Sequence, residues 1–134
     1  MKPICPLLTV DVVIRYHEKI VLVRRKNNPF KDMFALPGGF VDYGETVEYA
    51  AIREAKEETG LNIEIVDLVG VYSDPSRDPR GHVVTICYIA LGYGELKAGS
   101  DAKDVELFEL SKVPKLAFDH SKIVEIVKLR YPAY

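Results

Sequence analysis

Cysteine is scarce in this chain: Cys5 and Cys87 are the only two in 134 residues, at no metal-binding or redox spacing. A disulfide between them would require an oxidising compartment, to which nothing else points. Cys87 lies in the apolar run from Val83 to Leu91, where a free thiol behaves as a small buried hydrophobe. Basic excess is also missing. With 18 Lys and Arg against 20 Asp and Glu, the net charge of −2 argues against a general nucleic-acid or anionic-membrane binder, so any phosphate recognition must be local. No charged segment followed by an apolar one opens the chain, and no run approaches a membrane span, so a cytoplasmic protein with no membrane partner is expected. Repeats and low-complexity stretches are absent too. What remains is 48% apolar and 10% aromatic, enough for one domain over residues 1–134.

The chain is rich in carboxylates at one place. Glu54, Glu57 and Glu58 stand at i, i+3 and i+4, so on a helix all three emerge on one face. Like charges packed that closely cost helix stability, and a hard divalent cation reverses the sign. The surroundings support a site over a solvated face. Leu36-Pro37-Gly38-Gly39 predicts a tight turn whose glycines let backbone carbonyls approach an ion or a phosphate. Thr46 is placed to cap the helix and Gly60 to end it, giving about four turns. Arg53, one turn before Glu57, is spaced to orient that carboxylate, with Val47, Ala51 and Ala55 facing the core.

The stretch from Gly39 to Leu61 resembles the signature box of the Nudix hydrolases, Gly-x5-Glu-x7-Arg-Glu-U-x-Glu-Glu-x-Gly-U, where U is a bulky aliphatic residue. Every fixed letter is met, and the one departure is Ala55 at the first U. The resemblance implies an α/β/α sandwich, a mixed β-sheet covered by the box helix and a C-terminal helix. It also implies metal-dependent hydrolysis of a nucleoside diphosphate linked to another moiety. Glu54, Glu57, Glu58 and Arg53 become the expected catalytic residues, and Gly38, Gly39, Glu54, Glu57 and Glu58 the expected ligands of Mg²⁺ or Mn²⁺. Glu45 is read chiefly as a support of the turn and helix start, with direct metal contact as the alternative. A homodimer is entertained as the assembly. In some members a later acid joins the box. The candidates here are Asp101, Asp104 and Glu106, each of which could equally be a solvated loop charge, while a box glutamate alone could serve as the base.

Elsewhere the sequence alternates strands and turns. Leu8 to Arg15 and Ile20 to Arg24 flank a polar turn and predict a hairpin. Ile63 to Tyr72 and His82 to Tyr93 predict two strands, Val105 to Leu110 a shorter one, and Ser121 to Arg130 a final helix capped by Asp119. Such interleaving suits a sheet covered on both faces.

Substrate choice rests outside the box. Arg24 and Arg25 end a strand, and alternation should send them to opposite sides, so that one could reach a phosphate. The loop from Asp74 to His82 resembles that of small ADP-ribose pyrophosphatases, with Pro75 and Pro79 both near the position of a subclass-marking proline. Its arginines, Arg77 and Arg80, are expected on an exposed, stiff loop where they meet a phosphate or a ribose-linked anion. His82 reads as a capped or half-buried side chain. Phe118 is expected either to stack on adenine or to belong to the core. The leading expectation is hydrolysis of ADP-ribose to AMP and ribose 5-phosphate. The alternatives are a house-cleaning nucleoside triphosphate hydrolase and a non-catalytic ADP-ribose-sensing domain, the last needing an appended DNA-binding module.

Overall fold

The computed structural model describes residues 4–98 and 102–132. Alternating apolar residues on central strands build two cores, one on each side of a sheet. β1 (Leu7–Tyr16) and β2 (Lys19–Arg25) send Val13, Ile20 and Leu22 to one side, and Val10, Val12, Ile14 and Val21 to the other. β6 (Val83–Tyr93) does the same, with Cys87 and Ile89 opposite Tyr88 and Ala90. Burial on both faces explains why these strands read as near-continuous apolar runs.

The described residues form a seven-stranded mixed sheet along the path β3-β2-β1-β6-β5, in which β3 is Phe34–Ala35 and β5 is Asn62–Tyr72. β1 runs parallel to β6 from Leu7 to Arg15. Its other edge pairs antiparallel with β4 (Gly38–Phe40) near its start and with β2 at its end, while β7 (Ala102–Phe108) pairs with β2. The β1–β2 hairpin turns through His17 and Glu18, both at positive φ, as expected.

Helix α1 (Val47–Thr59) covers one face, burying Ala50, Ala51 and Ala55, with Val47 half-buried. Thr46 Oγ1 accepts the Tyr49 N–H at 3.1 Å, and Gly60 ends the helix at φ 77°. A Cβ at Gly60 would also stand 2.8 Å from Glu95 O. Gly60→Ala should therefore cost at least about 1–2 kcal/mol, read as a lowered thermal midpoint, and an unchanged midpoint would contradict it. Helix α2 (His120–Arg130) covers the other face through Ile123, Val124 and Val127. The α/β/α arrangement expected from the sequence is the observed one.

Three local expectations are corrected. The tight turn at Leu36-Pro37-Gly38-Gly39 is the link between two short strands, and Gly38 and Gly39 are in β4, paired with Asp11 and Val10. Gly38 lies so close to β1 that a Cβ there would overlap Val10 O, so glycine serves close approach and not turning. Asp119 makes no side-chain cap, because its carboxylate is engaged by Arg77. The loop before Val105 is shorter than expected, since β7 begins at Ala102.

Candidate active site

Arg53 organises the box. Its Nη2 donates to Glu45 Oε1 at 2.6 Å and its Nε to Glu45 Oε2 at 3.0 Å. Nη1 reaches Glu54 Oε1 at 2.8 Å and Glu57 Oε2 at 3.1 Å. The guanidinium thus serves Glu45 and Glu54 at shorter distances than Glu57, which the spacing had singled out. Glu45 also accepts the Asp42 N–H at 2.7 Å, fixing the turn before the helix. Arg53's hydrogen bonds, with that backbone bond second, hold Glu45 below the usual carboxylate range. In return, the Glu45 hydrogen bonds push the Arg53 pKa up.

The expected metal ligands are brought near one another but are not assembled. Glu58 Oε2 accepts the Gly38 N–H at 3.1 Å, and a Cβ at Gly39 would stand 2.6 Å from the Glu54 carboxylate, so both glutamates lie against β4. Glu57 is 57% exposed. Among the described residues no three His, Cys, Asp or Glu side chains form a ready cluster, since Arg53 engages Glu54 and Glu57. The donor set still fits a hard divalent ion. It is all oxygen and anionic, and two glycines leave no side chain between the β4 backbone and the carboxylates.

A cavity of about 250 Å³ opens beside this group, lined in part by Gly38, Gly39, Glu58, Arg24, Arg25, Arg80 and Phe118. Both Arg24 and Arg25 line it. Arg24 lies 4.8 Å from the centroid of the Phe34 ring and 3.1 Å from Asp104. Arg25 lies over Phe118 at 4.9 Å and donates to Pro29 O at 2.7 Å. Burial, then the nearby Arg80, lowers the Arg25 pKa. Phe118 is half-buried against Phe30, with ring centroids 4.8 Å apart, and its remaining surface lies beside the cavity.

The two loop arginines part company. The Arg77 side chain is 5% exposed and bonded to Asp119 at 2.7 and 2.9 Å, and it lines the same cavity. Burial alone would lower its pKa, but Asp119 raises it. Arg80 is 42% exposed and lies 5.4 Å from the Phe40 ring and 5.5 Å from Phe118. It is held by Asp78 at 2.8 and 3.1 Å. Asp78 itself is buried, which would raise its pKa, but the Arg80 hydrogen bonds keep it low. The loop is therefore anchored, not simply exposed. His82 is exposed, with Nε2 2.9 Å from Ser73 O.

Of the later acids, Asp104 is on β7 and paired with Arg24, Glu106 is exposed on β7, and neither lines the cavity. Asp101 lies outside the described residues. Sequence reasoning gave no role to Asp11, Asp78 or His120, all on the cavity wall. The signal for Asp11 was present: a lone acid inside Val10-Asp11-Val12-Val13 is costly unless partnered.

A family model for the NUDIX domain matches residues 6–127. An ADP-ribose pyrophosphatase of Methanocaldococcus jannaschii is 60% identical over 122 residues, covering 90% of this chain and 72% of that protein. The NUDIX domain of Shewanella oneidensis NrtR, solved in complex with ADP ribose, superposes with a TM-score of 0.84 at 35% identity, covering 94% of this chain and 88% of that one. A MutT/nudix family protein from Enterococcus faecalis gives 0.87 at 36% identity, covering 97% of this chain and 63% of that one. With the box helix, the glycine strand and the sandwich all in place, the chain belongs to the NUDIX family.

Proposed function

We propose that this protein hydrolyses ADP-ribose to AMP and ribose 5-phosphate with a divalent ion, Mg²⁺ or Mn²⁺, held by Glu54, Glu57 and Glu58 and the Gly38–Gly39 backbone. The observation that carries the reading is one cavity in which Arg25 and Arg80 face Glu58 and the glycine strand. Cationic side chains there meet the diphosphate oxygens, and the box lies at the edge of the same space. The relative's activity and the neighbour's ligand support the same substrate.

In the reaction a water oxygen bonds to one phosphorus and the bridging P–O bond breaks. The bridging oxygen leaves with the other phosphate and takes up a proton. A bound divalent ion supplies charge screening and a more acidic water. Arg25 and Arg80 grip the oxyanions, and Phe40 and Phe118 offer ring faces to adenine. Arg53 fixes the directions of the box carboxylates. A box glutamate serves as the base. We also place the protein in the cytoplasm, as a homodimer. Leu68 and Val71, exposed apolar residues on the outer strand β5, support the dimer, and sedimentation would test it.

The assay is product separation after incubation with ADP-ribose, dATP and 8-oxo-dGTP. AMP and ribose 5-phosphate in equal amounts are expected, while preferential release of pyrophosphate from the triphosphates would replace this reading with the house-cleaning one. Arg80→Ala should lower kcat/KM for ADP-ribose by about 1.5–3 kcal/mol, and a smaller loss on a triphosphate would tie Arg80 to this substrate. Equal losses on both would reduce Arg80 to generic phosphate binding.

A further inference from the structure

At the bottom of the cavity stands a carboxylate that neither the metal chemistry nor the phosphate grip uses. Asp11 is 7% exposed, sits within β1, and shares the cavity wall with Gly38, His120 and Arg80. A buried anion requires partners, and one of its oxygens has them. Oδ2 accepts the Thr85 hydroxyl at 2.7 Å, faces His120 Nε2 at 3.4 Å and lies 4.0 Å from Arg77 Nη2. The Leu36 N–H donates to His120 Nδ1 at 3.0 Å, so in the neutral ring the proton is on Nε2, the atom facing Asp11. Burial by itself would raise the Asp11 pKa, but His120, Thr85 and Arg77 together hold it below the usual range. The group is ionised and pinned. Its other oxygen, Oδ1, lies on the Gly38 side, where an added Cβ would stand 2.5 Å away.

A fixed anion in a cavity that binds phosphates divides the space by chemistry. It repels phosphate oxygens, which go to Arg25 and Arg80, and favours a neutral hydrogen-bond donor. The neutral donors that ADP-ribose carries on its sugars are ribose hydroxyls, and a carboxylate is the group that dinucleotide sites use to bind a ribose hydroxyl. We propose that Asp11 is a specificity-determining acceptor for a ribose hydroxyl of the substrate, with Thr85 and His120 as the residues that position it. This deepens the ADP-ribose reading and rests on it for the identity of the sugar, of which the substrate has two.

The test uses the full-length wild-type protein and needs no turnover. Calorimetric titration compares ribose 5-phosphate with its 2-deoxy and 3-deoxy counterparts, and AMP with 2′-deoxy-AMP and 3′-deoxy-AMP. One series should lose roughly tenfold or more in affinity when a hydroxyl is removed, and which series does so identifies the ribose. Asp11→Asn should collapse that ratio toward one. A merely structural aspartate would instead weaken all ligands alike and leave the ratio intact, overturning the proposal, as would a ratio near one in the wild type. Should Asp11→Asn fail to fold, Thr85→Val removes the hydroxyl that fixes Oδ2 without touching the cavity. It should shrink the ratio, and an unchanged ratio there also overturns the proposal. If ADP-ribose is not hydrolysed, these binding ratios remain measurable, so the two readings fail separately.

Discussion

Excess chelator should abolish ADP-ribose hydrolysis, and Glu57→Gln should lower kcat by about two or more orders of magnitude in saturating Mg²⁺. Both effects have the same origin. Glu54, Glu57 and Glu58 share one face of α1, and Arg53 is the cation the described structure places on Glu54 and Glu57. One guanidinium is divided among Glu45, Glu54 and Glu57, and a divalent ion is suited to bridge carboxylates gathered on one face. Glutamine keeps the size of the Glu57 side chain and can still accept from Arg53, but it lacks the charge that holds the ion. Without metal the variant should melt at the wild-type temperature or slightly above it, because a like-charge repulsion has been relieved. Turnover that persists in EDTA would remove the metal from the mechanism, and a variant that unfolds without metal would mean that Glu57 serves the fold.

The central strands were legible because near-continuous runs of Val, Ile and Leu between polar turns are a local property. The small residues on one side of α1 are likewise visible without knowing their partners. Thr46 and Gly60 were legible for the same reason, since a cap is satisfied within four residues. The fate of Arg77 was not, because Asp119 is 42 positions away and the pair exists only once the loop folds onto α2. A rule for charged loop residues sends both arginines to solvent, and only tertiary packing shows that the Arg77 side chain is buried on Asp119 while Arg80 stays exposed. Arg24 and Arg25 both line the cavity, which strand alternation alone did not anticipate. Gly38 and Gly39 were expected as turn glycines. They are glycines of close approach, required by β1 on one side and the Glu54 carboxylate on the other.

Arg77→Ala should destabilise the protein by about 3–5 kcal/mol, and Arg80→Ala by less, since buried Asp78 loses the Arg80 side chain but keeps the backbone N–H of residue 80. Arg77 is 5% exposed, and its removal strands Asp119 and exposes Asp11 to a loss of positive charge, in surroundings that cannot rehydrate either carboxylate freely. Lysine should recover only part of the loss, since a single ammonium cannot reproduce the two parallel bonds to Oδ1 and Oδ2. The deficit should also depend on pH. The folded-state pKa of Asp11 lies below its ordinary value of 3.8, so the stability its ionisation contributes is present above that value and is lost as pH falls through the folded one. Part of that depression comes from Arg77, so the gap between wild type and Arg77→Ala should narrow as the pH drops below about 4. Urea titrations of both proteins at neutral and acid pH would measure it. If Arg77→Ala instead melts like wild type and loses affinity for ADP-ribose, Arg77 belongs to the ligand and the brace on Asp119 is dispensable.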